Sequence, residues 1–344
     1  MNRTWMRGTI TALALTLATT SVVSAQDTNV EKPNLRLAVG GKSALFYLPL
    51  SVTERLGYFK DAGLNVEISD VSSGGRTLQA VVGGSADIGT GTFDHSIQMQ
   101  AKQQPVVAIV QMGRYPGFVL GMMTAKASRY HGPKDLKGMK IGVTSLGSST
   151  QFMAAYMLVR SGLNPDTDAA FIATGTTSTA VAAARRAEID AIVTSDPMAS
   201  LMTSEKLIKI VADTRTPEGT KAVYGGPYPG GVVYVTPDFI KMSPKTTQAL
   251  VNAFVRGLKW IASHSAEEIA ALMPPEYALG NSHVYAEAIR ASKAMYSPDG
   301  RFLPGAAEAA YAVLKQFNAP VAAAKIDLSK TYTDAFVEKA LAAK

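Results

Sequence analysis

The sequence predicts a mixed α/β protein: two α/β lobes joined by a two-strand hinge, with a helical C-terminal tail. Three features carry that expectation. From Leu35 onward, short β-branched runs alternate with longer amphipathic ones, the pattern of a mostly parallel sheet covered by helices. The pattern then occurs a second time, and the two units echo each other at matching places: Ala62-Gly63-Leu64-Asn65 with Ser161-Gly162-Leu163-Asn164, and Ala86-Asp87-Ile88 with Glu188-Ile189-Asp190-Ala191-Ile192. Two apolar stretches, Phe118 to Met123 and Gly231 to Val235, each follow a Pro/Gly turn and read as strands on which the chain crosses between lobes.

The elements follow in order. Leu35 to Val39 reads as the first strand, and Gly40-Gly41-Lys42-Ser43 as a turn. A helix over Phe46 to Asp61 is stopped by Gly63, and Val66 to Val71 is the next strand. Ser72-Ser73-Gly74-Gly75 opens a helix through Val82, Asp87 to Gly91 is a short strand, and a helix from Asp94 to Gln103 leads to a strand at Val106 to Gln111. In the second unit, strands are expected at Met139 to Thr144, Ala170 to Ala173 and Ile189 to Val193, with helices to Arg160 and over Thr179 to Arg186 between them. After Pro237 the chain is largely helical, at Pro244 to Ser263, Ser265 to Leu272, Val284 to Met295 and Ala306 to Gln316. Residues 26–118 and 235–344 are accordingly expected to form the first lobe, and residues 119–234 the second.

Composition bounds the function. Arg3 and Arg7 precede an uncharged run from Gly8 to Val23, and Val23-Ser24-Ala25 precedes Gln26, which predicts a secretory leader over residues 1–25 cleaved after Ala25. The run is too rich in Thr and Ala for the roughly 20 strongly apolar residues of a spanning helix. With no Cys there is no lipid attachment residue, disulfide framework or thiolate nucleophile, so a freely soluble periplasmic protein is expected. The leader removes two of the 34 Lys and Arg and none of the 27 Asp and Glu, and no basic run marks a nucleic-acid or lipid surface. His95, His131, His264 and His283 lack metal-ligand spacing, so neither metal nor cofactor is expected. Gly89-Thr90-Gly91 lacks the third Gly of a dinucleotide fingerprint, and no Gly-x-Ser-x-Gly elbow is present.

Four turns of one composition follow strand ends: Gly40 to Ala44, Ser72 to Arg76, Leu146 to Thr150 and Thr174 to Ser178. Ligands of α/β sheets bind at the carboxyl ends of strands, and unpaired N–H groups at helix starts seat polar or anionic groups there. This places Lys42, Ser43, Ser73, Gly75, Ser148, Ser149, Thr150, Thr176 and Ser178 as candidate ligand contacts. Asp94 and Asp196 follow strands and either accept from a ligand or cap the next helix. Arg76, in the first turn of its helix, and Lys42 are the candidate counter-charges for an anionic head group.

The segments Ala44 to Leu50 and Glu54-Arg55-Leu56-Gly57-Tyr58-Phe59-Lys60-Asp61-Ala62-Gly63-Leu64-Asn65-Val66-Glu67 resemble the nitrate, sulfonate, taurine and thiamine-precursor (NMT1-like) binding proteins of ABC importers. So do Gly84 to Gly89 and Asp135 to Val143. The resemblance covers nearly all the chain beyond the leader. It implies the type II periplasmic binding protein fold, and a pocket lined by Lys42, Ser43, Phe46, Ser73, Gly75, Phe93, Asp94, Ser148, Ser149 and Thr176. Phe46, Phe93 and Tyr228 would suit an aromatic acid. It further implies a binding protein, here expected as a monomer with no nucleic-acid partner, that captures a small solute for a membrane permease and its ATPase. Ligand choice is not carried over, and the sulfonate or carboxylate expected here rests on the helix starts with Arg76 or Lys42. One branch of the same fold is an enzyme that makes a thiamine pyrimidine with a Cys-rich segment, which this chain lacks. A ligand-sensing receptor subunit is the third possibility.

Overall fold

The computed structural model describes Met1, residues 30–176 and residues 178–343, so the expected leader cleavage after Ala25 lies outside the described residues. The first unit runs β1 (Asn34–Val39), α1 (Leu48–Arg55), α2 (Tyr58–Asp61), β2 (Asn65–Asp70), α3 (Gly74–Val82), β3 (Ile88–Thr92), α4 (Asp94–Ala101) and β4 (Val107–Gln111). The second runs β5 (Phe118–Met123), α5 (Thr124–Ala127), β6 (Lys140–Val143), α6 (Ser149–Arg160), β7 (Ala170–Ala173), α7 (Ser178–Arg185), β8 (Ala191–Ser195), α8 (Met198–Ser204), β9 (Ile208–Asp213) and α9 (Pro217–Tyr224). The chain then returns through β10 (Gly231–Val235) to a helical remainder. This comprises α10 (Pro237–Met242), α11 (Pro244–Ser263), α12 (Ala266–Leu272), α13 (Ser282–Ser292), α14 (Ala306–Leu314), α15 (Ala319–Ala323) and α16 (Ala335–Ala342).

Each unit builds one five-stranded sheet, in the orders β2-β1-β3-β10-β4 and β7-β6-β8-β5-β9. The two orders are the same arrangement. In each sheet one strand, β10 or β5, runs against its neighbours, and that strand is the first after a crossing between lobes. The internal echo in the sequence is therefore an echo of topology.

Several expectations are corrected. The long helix over Phe46 to Asp61 is broken: a single 3₁₀ turn, Leu45–Tyr47, leads into α1, and Gly57 at φ 74° separates α1 from α2. That left-handed backbone suits glycine because it has no Cβ to clash. Gly231–Val235 pairs along its whole length with β3 and β4, so the second crossing precedes it rather than falling at residues 234–235. Phe118 opens β5 and belongs to the second sheet, not to the first lobe. The sequence reading assigned no element to α5, α8, β9 or α9, and α16 lies unnamed within the expected helical tail.

The crossing segments are tied to one another. Gly113 N donates to Gly231 O at 2.9 Å, and Gly230 N donates to Gly113 O at 3.0 Å, forming the expected two-part hinge. The largest tail helix, α11, buries Leu250, Val251, Phe254 and Leu258 on one face, the spacing of a helix packed on a core. Hydrogen bonds also cross between the lobes, beside the hinge where Leu45 N donates to Asp196 O at 2.7 Å and Ser292 Oγ donates to Asp196 Oδ2 at 2.9 Å, and at the cleft where Ser149 Oγ donates to Asp94 Oδ1 at 2.7 Å. The lobes are closed on one another.

Candidate functional site

Between the closed lobes lies a cavity of about 40 Å3. By this measure a single water needs roughly 10–15 Å3, so the space holds only a small solute unless the lobes part. The first lobe contributes Gly40, Ala44, Phe46, Tyr47, Gly74, Thr92 and His95, and the second contributes Phe118, Thr144, Ser148, Ser149, Thr150, Thr176 and Ser195. Phe46 and Phe118 stack across the lobe boundary with ring centroids 5.4 Å apart, giving the cavity an apolar wall.

Local sequence explains why the polar groups gather here. β1, β2, β6 and β7 all lead at this edge into small or hydroxyl residues that open the next helix or turn, and β3 ends there in Thr92. The start of α3 is capped by its own Ser73, which accepts from Arg76 N. The start of α6 differs: Ser148 makes no capping bond and instead donates to Ser145 O at 2.7 Å, leaving the first N–H groups of α6 without a side-chain cap.

Behind the cavity wall sits Asp94, buried at 1% exposure. Thr92 Oγ1 donates to its Oδ1 at 2.5 Å, Ser149 Oγ donates to the same atom at 2.7 Å, and Tyr228 OH donates to Oδ2 at 3.3 Å. Thr92 Oγ1 and Ser149 Oγ are also in mutual contact, so these two hydroxyls and one carboxylate join the lobes. Tyr228 stacks on Tyr224 at 3.9 Å between centroids; burial first, and then the Asp94 charge, push its phenol well above the usual range, so it stays protonated as a donor.

A scan against family models matches residues 47–268 to the family described as NMT1/THI5 like. The chain belongs to that family. It is 42% identical to a solved protein of Bordetella bronchiseptica RB50, with a TM-score of 0.87, over 90% of this chain and 98% of that one. YtlA of Bacillus subtilis (strain 168), which bears the name of a binding protein, is 25% identical over 265 residues, 74% of this chain and 75% of its own. The alkanesulfonate-binding protein SsuA of Xanthomonas axonopodis pv. citri, solved bound to MOPS, shares the fold at a TM-score of 0.67 and 18% identity over 88% of this chain and 98% of its own. A shorter match, 25% over 97 residues and 28% of each chain, is to the 4-amino-5-hydroxymethyl-2-methylpyrimidine phosphate synthase of Schizosaccharomyces pombe.

Of the residues expected from sequence, Phe46, Ser148, Ser149, Thr150 and Thr176 line the cavity, with Asp94 and Tyr228 directly behind it. Ser73 is buried as a helix cap, and Gly75 faces Ser145 Oγ across the lobe boundary. The structure does not bring the others in. Lys42 pairs with Glu54 at 2.5 Å in a surface depression beside Arg55 and Tyr277, because the turn carries its side chain away from the cleft, and neighbouring Ser43 is not in the lining. Arg76 is exposed on α3, one residue past the part of the first turn that faces inward. Phe93 is fully buried in the first lobe, edge-on to Phe302 and Tyr332. Ser178 is exposed at the start of α7.

Asp196 is buried and has a different task. It accepts from Arg215 Nη1 at 2.8 Å, from Ser200 Oγ at 2.7 Å and, across the lobes, from Ser292. The sequence reading missed Tyr47, Thr92, Phe118, Thr144, Ser195 and above all His95. Their signal was positional: Thr92 and His95 flank Asp94 at the end of β3, the same kind of strand end that marked the other turns.

Proposed function

We propose that the chain is the extracytoplasmic solute-binding subunit of an ABC importer, capturing a small organic solute between its lobes, and that it is not an enzyme. The observation that carries this reading is a single cavity lined by helix starts of both lobes and closed about a two-segment hinge, a geometry in which binding and closure are one event. Among the described residues, no group of three or more His, Cys, Asp or Glu gathers to hold a metal, and no helix is long and apolar enough to cross a membrane. The names of YtlA and SsuA support the binding role by likeness. The anionic head group expected from sequence loses its assigned counter-charges, since neither Lys42 nor Arg76 reaches the cavity.

The test is mass spectrometry of small molecules released from freshly purified, denatured protein, followed by thermal shift with the compound found. A solute at 100 times its dissociation constant should add about 2.7 kcal/mol of stability. A compound that the protein converts to a new product would overturn the non-enzyme reading. Failure to co-purify a permease, alongside capture of a receptor, would overturn the importer reading.

A further inference from the structure

Most of the cavity's hydroxyls are turned into acceptors. An ionised carboxylate only accepts, and a hydroxyl has one hydrogen to give. Thr92, Ser149 and Asp94 contact one another, so the two hydroxyl hydrogens are spent within this trio and only lone pairs are left for the cavity. Ser148 gives its hydrogen to Ser145 O, and Thr144, Ser148 and Thr150 share the rest among themselves, with Thr150 Oγ1 also accepting from Thr144 N.

No lining residue is Lys or Arg, and among the described residues Asp94 has no ion-pair partner. The contrast is Asp196, an equally buried carboxylate, which Arg215 neutralises. An anion here would meet a buried negative charge and mostly spent hydroxyls, with the helix-start N–H groups, one His95 N–H and the Thr176 hydroxyl in its favour.

His95 completes the set. It lies in the first turn of α4, is 1% exposed, lines the cavity, and neither ring nitrogen has a hydrogen-bond partner. Its ring is admitted by two glycines: a Cβ on Gly74 would stand 3.1 Å from Cε1, and one on Gly91 would stand 3.0 Å from Nδ1. Across the cleft, Thr176 Oγ1 is likewise unpartnered. Buried polar groups without partners are rare in folded proteins, and two on one cavity, from opposite lobes, mark the points a solute would satisfy. Burial holds the His95 pKa below its usual range against the pull of Asp94, so the ring is neutral at neutral pH and offers one donor and one acceptor.

We propose that the solute carries no net negative charge and is an N–H or O–H donor, that Thr92, Ser149 and His95 accept its hydrogens, and that Asp94 sets this polarity from behind. The proposal rests on the solute-binding reading above and narrows its ligand class.

The experiment is a thermal-shift and calorimetric panel of carboxylates, sulfonates, amides, alcohols and amines of matched carbon skeleton, applied to wild type, His95→Phe, His95→Leu and Asp94→Asn. The expected result is that neutral or cationic donors stabilise wild type and that either His95 variant weakens them about tenfold or more, the loss of one hydrogen bond. Asp94→Asn, whose amide donates, should free a hydroxyl hydrogen and shift preference toward carboxylates. Should carboxylates or sulfonates be the compounds that stabilise wild type, or should both His95 variants bind like wild type, the proposal is overturned while solute binding stands. If no compound in the panel stabilises wild type, solute binding itself fails, and this inference with it. His95→Leu decides the matter if the larger His95→Phe does not fold.

Discussion

Replacing Gly41 by Ala should prise the lobes apart at one defined point. Gly41 lies in the turn after β1 at φ 110°, held by Asp70, whose carboxylate accepts from the N–H groups of Gly41 and Lys42 at 2.9 and 2.8 Å. A Cβ built there would stand 2.5 Å from Thr176 Oγ1 and 3.0 Å from its Cβ, on the opposite lobe. That is about 1 Å inside the ~3.5 Å at which such contacts become favourable. The turn cannot retreat easily, because Asp70 pins it. Two costs result: backbone strain of about 1–3 kcal/mol at a φ that L residues rarely adopt, and about 1–3 kcal/mol of overpacking that falls only on the closed form. The second cost is a shift in the opening equilibrium of roughly 5- to 150-fold. The Leu45 amide of the first lobe reports it, since it donates to Asp196 O of the second. Hydrogen exchange at Leu45 should therefore quicken by that factor in Gly41→Ala, and Gly41→Ala with Thr176→Gly should restore most of the protection while leaving the strain. An unchanged Leu45 exchange rate in the single variant would refute the reasoning.

Other expected outcomes follow from the same contacts. Arg215→Met should cost about 3–5 kcal/mol in denaturant unfolding because it strands the buried Asp196 carboxylate, and adding Asp196→Asn should recover part of it; a cost under about 1 kcal/mol would contradict the pairing. Desolvation tends to raise the Glu31 pKa, but the N–H groups of Lys245 and Thr246, with the Thr246 hydroxyl, bring it down to about 2. Its stabilisation is thus present above the unfolded value of 4.5 and lost as pH falls toward 2, and Glu31→Gln should flatten that part of the acid unfolding curve. His95 has the opposite charge type: its folded pKa is depressed, so the unfolded chain takes up the proton first and stability declines as pH drops below 6.5. Wild type should lose melting temperature relative to His95→Gln over that range, and parallel curves would count against a buried neutral imidazole.

The local code of the strands and helix starts was legible without the fold. Hydrophobic alternation located most of the strands, and the Ser, Thr and Gly turns after strand ends located Ser148, Ser149, Thr150 and Thr176, because caps and tight turns are set by residues adjacent in sequence. The direction in which a long side chain leaves its turn is not local information. Lys42 and Arg76 sit in the right turns but point elsewhere, and Phe93 turns into the lobe core while its neighbour His95 reaches the cleft. The tertiary structure alone decided which strand completes each sheet, since β10 and β5 reach their places only after the chain has crossed between lobes. It also decided the polarity of the cavity. Asp94 takes the hydrogens of Thr92 beside it and of Ser149 from the other lobe, and a hydroxyl's role as donor or acceptor depends on a partner 55 residues away that no local pattern can name.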